Sequence, residues 1–278
     1  MKKLFDELSF QVSRETTRKY STSFSLGILA LRADIRPAIY AVYGFVRLAD
    51  EIVDSFHGYD KATLMSRLRL QTEEAITEKI AINPILQSFQ ETVHQYGIEW
   101  ELIDTFLKSM EMDLQKVEYD KALYDQYILG SAEVVGLMCL HVFVHGNKQE
   151  YERLKPYAMK LGAAFQKVNF LRDMNADYHI LGRTYFPNVN MQDFNCNTKA
   201  AIELEIEKDF SDALTGIRTL PASSRLGVYL AYTYYYTLFK KIKTIEPKQI
   251  FNQRIRINNT RKLSLMMSSY LQCKMALI

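Results

Sequence analysis

Residues 39–56 read Ile39-Tyr-Ala-Val-Tyr43-Gly-Phe-Val-Arg47-Leu-Ala-Asp50-Glu-Ile-Val-Asp54-Ser-Phe56, and this stretch decides the fold. Apolar residues recur in it every three or four positions: Ile39, Val42, Tyr43 and Val46, then Ala49, Ile52, Val53 and Phe56. That is the period of a helix face turned toward a core. Asp34 and Pro37 supply a capping residue type and a first-turn proline ahead of it. The same spacing covers residues 60–80, 85–96, 99–116, 122–146, 148–178, 198–217, 222–244 and 248–275. Asn83-Pro84 marks one further helix start, and Pro156, Pro221 and Pro247 are each read as preceding a helical stretch. No run alternates as a strand does, and no Asn-Gly or Asp-Gly hairpin turn occurs. Leu181 to Asn197 is the one long irregular connection. Without a linker, repeat or composition break, residues 1–278 are expected to form a single all-α domain of eight to ten helices.

Composition agrees. Eleven Gly and six Pro in 278 residues are too few for the turns of an all-β protein. The 35 basic and 32 acidic side chains leave a net charge of +3, too small to argue for nucleic acid, and no nucleic-acid-binding module is recognisable. The start of the chain lacks the apolar stretch of a signal peptide. The longest apolar run, Val134 to Val144, reaches about half of a bilayer span and reads as a buried helix. Cys139, Cys196 and Cys273 are far apart and lack CxxC spacing, so free thiols in a reducing cytoplasm are expected. Aromatic residues, 18 Tyr and 15 Phe among them, are abundant for reasons composition does not give.

Chemistry enters with two carboxylate pairs. Asp50 and Asp54 are four apart on one helix face, with Arg47 one turn earlier. Asp173 and Asp177 repeat the spacing after Gln166, Asn169 and Arg172. Spacing alone is weak evidence, since solvated helix faces carry such pairs. Both pairs, however, lie in helices lined by Phe, Leu, Val, Tyr and Ala, where adjacent like charges repel unless a cation holds them. Carboxylate oxygens at this spacing suit Mg²⁺, which keeps waters and bridges to phosphate oxygens. An Arg beside each pair adds donors for the same phosphate.

These motifs, taken in order, resemble the squalene/phytoene synthase family. The matching pieces are Tyr20-Ser-Thr-Ser-Phe24; Tyr43 through Asp54; Met110-Glu-Met-Asp113-Leu; Tyr127 followed by Ala132-Glu-Val-Val135-Gly136; Gln166 through Asp177; and Gly182-Arg183-Thr-Tyr185-Phe186-Pro187. One departure is Asp50-Glu51, where the family often has Asp-Asp. The resemblance implies an all-α isoprenoid synthase bundle around a central cavity. It implies head-to-head condensation of two allylic diphosphates through a cyclopropyl diphosphate. By that likeness Asp50, Asp54, Asn169, Asp173 and Asp177 would hold Mg²⁺, with Mn²⁺ as the substitute. Arg47, Arg172, Gln166 and Asn169 would bind or orient diphosphate, and Ser21, Ser23 and Phe24 would flank it. Val135 and Gly136 would lie on the substrate side, with Tyr43 and Tyr127 near the reaction centre. The expected activity is that of a bacterial 15-cis-phytoene synthase joining two geranylgeranyl diphosphates without NADPH. The alternatives are a squalene or dehydrosqualene synthase using farnesyl diphosphate, and a non-catalytic scaffold subunit. No oligomeric state follows.

The remaining features have two readings each. Tyr229, Tyr232, Tyr236 and Phe239 fall on one helix face and read as core packing or as cavity wall. Gly130, Ala132 and Gly136 could make room for a prenyl tail or for a neighbouring helix. His141 and His145 have metal-pair spacing without a third ligand, so burial of His141 is the expectation. Residues 240–262 carry eight basic side chains and one acid, Glu246, which suits peripheral docking to an anionic bilayer or a solvated basic face.

Overall fold

The structure is a computed structural model that describes residues 1–115, 119–176, 185–187, 189, 194–251 and 254–274. Its helices run in the order α1 (Lys2–Tyr20), α2 (Thr22–Leu29), α3 (Arg36–Asp54), α4 (Lys61–Glu78), α5 (Pro84–Tyr96) and α6 (Trp100–Met112). Then come α7 (Lys121–Ile128), a π-turn (Leu129–Glu133), α8 (Val134–Phe143), α9 (Lys148–Ala176) and α10 (Cys196–Arg218). The chain ends in α11 (Ala222–Lys243), α12 (Pro247–Ile250) and α13 (Asn259–Lys274). Among the described residues there is no strand.

Three departures from the sequence expectation have physical reasons. Apolar spacing gave no sign of α1, because the residues α1 buries are Ser9, Ser13 and Thr17 rather than a hydrophobic stripe. These small side chains let it close on α3 and α5: Ser13 Oγ meets Ser88 Oγ at 2.7 Å, and a Cβ on Gly44 would lie 2.8 Å from Ser13 Oγ. Pro156 does not start a helix; it lies inside α9. The expected helix over 122–146 is interrupted by the π-turn, whose extra residue shifts the side chains that follow it.

The core divides into two apolar clusters. One gathers α7, α9, α10 and α11; the other gathers α3, α4, α5 and α6. Helix α8 lies between them. Val134, Met138 and Val142 pack in the second cluster, and Leu137 and Leu140 in the first. At about 100° per residue Val135, Cys139 and Phe143 share one face of α8; all three pack against the second cluster, and Phe143 also touches the first. All three are partly accessible on a helix that is otherwise largely buried. Burial pushes the Cys139 thiol up to about 12. All three cysteines are free. Glycines let α8 and α9 touch: a Cβ on Gly162 would lie 2.6 Å from the Ala132 carbonyl oxygen, and one on Gly136 3.1 Å from that of Ala158. Close helix approach thus accounts for Gly136.

Taken together, Lys121–Phe143 is long and apolar enough to cross a membrane, but half of its most apolar window is buried in the bundle. The basic stretch 240–262 is largely engaged within the chain. Lys241 Nζ donates to the Arg256 carbonyl at 2.7 Å, Lys243 pairs with Glu207 at 2.6 Å, and Lys262 Nζ donates to Thr22 Oγ1 at 2.8 Å. His141 is buried, bonded to Glu99 Oε2 at 3.0 Å and packed on the Tyr151 ring.

Glu133 closes the π-turn, and burial pushes its carboxyl up to about 7 against the pull of Lys160. Its folded pKa lies above the unfolded value of 4.5, so its contribution to stability is greatest below pH 4.5. That contribution falls as pH rises to about 7 and is flat above. We expect Glu133→Gln to match the parent near pH 4.5 and to exceed it at pH 8 by about 1–2 kcal/mol, read from denaturant midpoints. A constant difference across that window would refute the assignment.

Candidate functional site

Asp50 of α3 lies near Asp113 at the end of α6, Tyr127 of α7 joins Asp113 to Phe170 of α9, and Phe24 of α2 joins Tyr43 of α3 to Tyr235 of α11. On the α3 side, Arg47 contacts Asp50 at 3.7 Å and also pairs with Glu51. Its guanidinium lies 4.3 Å above the Tyr20 ring. The Asp50 carboxyl is pushed up to about 7, first by burial and further by the charges of Asp54 and Asp113, with Arg47 opposing. Asp50 therefore feels the charge of two further acids where α3 meets the end of α6.

Asp113 had no role in the sequence reading beyond its place in a motif. It accepts a 2.6 Å hydrogen bond from the buried Tyr127 hydroxyl and a longer one, 3.4 Å, from Tyr185. Burial and the Asp113 charge hold the Tyr127 phenol well above its usual value. Tyr127 is packed by Tyr119, Tyr185 and Phe170, with ring centroids 5.1–6.0 Å apart. Two tyrosines donating to one carboxylate are a long-range constellation that helical spacing does not reveal.

On the α9 side, Arg172 donates to both oxygens of Asp173, at 3.0 and 2.5 Å. A second arginine, Arg254, reaches Asp173 Oδ1 at 2.8 Å from the segment before α13. Asn169 donates to Gln166 at 3.3 Å. Asp177, and with it the second carboxylate pair as a pair, lies outside the described residues, as do Gly182 and Arg183.

Aromatic rings bridge the two sides. Phe24 contacts Tyr43 at 5.7 Å and Tyr235 at 6.0 Å, and Tyr235 stacks on Phe165 at 4.0 Å. The buried Tyr235 hydroxyl lies beside Arg172 and Asn169. Ser21 caps α2 by accepting from Phe24 N at 3.1 Å, and its hydroxyl also neighbours Tyr43. Ser23 is partly buried on the same turn. The α11 tyrosine that reaches the bridge is thus Tyr235. Of the stripe picked out by spacing, Tyr232 and Phe239 are buried in the first cluster around Phe210. Tyr229 and Tyr236 turn their hydroxyls to Gln272 and Glu207. Core packing is the correct reading of that stripe.

Two buried polar atoms lack partners here: Arg47 Nε and Asn169 Oδ1. One is a donor suited to an anion, the other an acceptor suited to a cation. Among the described residues no three His, Cys, Asp or Glu side chains converge into a ready metal cage. That donor set fits Mg²⁺ better than a metal needing four protein ligands, because Mg²⁺ takes one or two carboxylates and completes its shell with water and phosphate. Asp50, Asp54 and Asp173, with Asn169, are the described residues that would hold it.

A family model described as squalene/phytoene synthase matches residues 17–261. The 4,4'-diapophytoene synthase of Staphylococcus haemolyticus is 27% identical over 207 residues, covering 73% of this chain and 69% of that protein. Chloroplastic phytoene synthase 1 of Arabidopsis thaliana is 25% identical over 281 residues, covering 92% of this chain. The chain spans 64% of the length of that plant protein. Among solved structures, a dehydrosqualene synthase in complex with ligand superposes with a TM-score of 0.81, at 20% identity, covering 97% of this chain and 98% of that one. At that identity the likeness shows the fold, an all-α isoprenoid synthase bundle.

Proposed function

The chain belongs to the squalene/phytoene synthase family, whose members are prenyltransferases, and from that premise we propose that it joins two geranylgeranyl diphosphates head to head into 15-cis-phytoene. The observation that carries this reading is the pair of arginine–carboxylate groups on α3 and α9, each with a buried unpartnered polar atom on its own helix, Arg47 Nε and Asn169 Oδ1. Mg²⁺, when bound with the diphosphate, supplies positive charge to the leaving oxygens.

The chain's own residues do the rest. Arg47 and Arg172 donate to diphosphate oxygens as the C–O bond breaks and its electron pair leaves with the diphosphate. Phe24, Tyr43, Phe165 and Tyr235 form a run of touching rings that would line the space where the allylic cation forms, and ring faces favour a nearby cation. Their bulk keeps out water, which would quench the cation to an alcohol. Tyr127 donates its O–H to Asp113, so a proton released as the new C–C bonds form is taken up at the phenol oxygen while the phenol's own proton passes to the Asp113 carboxylate. No reductant is needed, because loss of the second diphosphate and a proton completes the triene.

The wall from Tyr127 to Phe143 rises about 24 Å, a length that accommodates a C20 tail. A second reading, condensation of two farnesyl diphosphates to a C30 product, is favoured by the Staphylococcus relative's name. Incubation with Mg²⁺ and either diphosphate, with and without NADPH, followed by hydrocarbon extraction, separates the two. A C40 product without NADPH is expected; a C30 product with no C40 would overturn the substrate assignment.

A further inference from the structure

The prenyl tail must end somewhere, and α8 offers its successive contacts at every fourth residue: Val135, Cys139 and Phe143. The first two are small and pack against the second cluster. Phe143 is large, is partly accessible, and packs against both clusters. It also sits in the last turn of α8, at the end away from Tyr127 and Asp113. The α8 backbone cannot move aside to lengthen the space, since it is pressed against α9 where a Cβ on Gly136 would meet the Ala158 carbonyl oxygen at 3.1 Å. Cys139, one turn above the ring, is partly accessible as Phe143 is.

We propose that Phe143 is the floor of the tail channel and sets the longest prenyl chain the enzyme accepts. The proposal rests on the prenyl diphosphate reading above. Truncating the ring opens the channel downward, whereas enlarging it raises the floor by part of an isoprene unit. A tail that no longer fits must fold back or leave methylenes in contact with water, and one such misfit in an apolar pocket is worth about tenfold or more in discrimination.

The test measures binding of unreactive farnesyl and geranylgeranyl S-thiolodiphosphates, with Mg²⁺, to the parent, Phe143→Leu and Phe143→Trp, together with melting temperatures. The ratio of the two affinities is the readout, because a merely structural role would weaken both ligands alike. Phe143→Trp is expected to shift the ratio toward the C15 ligand by about tenfold, and Phe143→Leu to shift it toward the C20 ligand. Equal ratios in all three folded proteins would overturn the assignment. Binding requires no turnover, so a parent that binds these ligands but makes no hydrocarbon would refute the proposed reaction and leave the floor to be judged on its ratios. A parent that binds neither ligand would refute both.

Discussion

Asp50→Ala is expected to lose about a thousandfold or more in turnover while leaving the fold at least as stable as the parent. The two halves of that result have one cause. In the folded protein Asp50 is desolvated and crowded by Asp54 and Asp113, which drives its carboxyl up to about 7. Such a group is held against its own preference. Its folded pKa exceeds the unfolded value of 3.8, so its contribution to stability declines as pH rises from 3.8 to about 7 and stays low above. Removing it at pH 8, in the absence of Mg²⁺, relieves the repulsion. The melting temperature should then equal or exceed that of the parent. If turnover and melting temperature fell together, the residue would be a structural one. Near-normal turnover would refute the metal assignment. Asp173→Ala should match the loss in turnover, with a different stability effect because it releases Arg172 and Arg254 together.

Arg47→Lys is the second large effect, expected to reduce kcat/KM by about a hundredfold although the charge is kept. Arg47 already spreads its fork over Asp50, Glu51 and the Tyr20 ring, and still has a buried Nε without a partner. A lysine is a single point donor and cannot hold an acid and a diphosphate oxygen at once. Steady-state kinetics with the preferred diphosphate checks this, and a change of less than threefold would contradict a diphosphate role. Arg172→Lys is the matched experiment on α9, where the bidentate contact with Asp173 would be lost.

The parts of the fold legible from sequence were those written in apolar spacing. Helix α3 was readable from Ile39 to Val53 because its buried positions there, Ile39, Val42, Ile52 and Val53, are apolar; Phe56, read as continuing that face, lies beyond the helix end and is exposed. Helix α1 was not, because Ser9, Ser13 and Thr17 fill a narrow contact where larger side chains would not fit. The site follows the same division. Arg47 with Asp50, and Arg172 with Asp173, are neighbours along one helix, so spacing announces them. Asp113 with Tyr127 and Tyr185, and Arg254 with Asp173, join residues from separate elements, and only the packed bundle brings them together. Tyr235 differs from the stripe residues around it only in its rotation about α11. One residue's turn separates a ring facing Phe24 and Phe165 from rings packed around Phe210.

The central claim is that the two arginine–carboxylate groups act as one diphosphate-ionising site. Its most direct measurement is the release of inorganic diphosphate from geranylgeranyl diphosphate, alongside hydrocarbon yield, with Mg²⁺ and with the metal chelated. The account predicts two diphosphates released for each C40 hydrocarbon, and neither product once Mg²⁺ is removed. Release that persists undiminished without divalent metal, or Mg²⁺-loaded protein that frees no diphosphate from either the C20 or the C15 substrate, would contradict it.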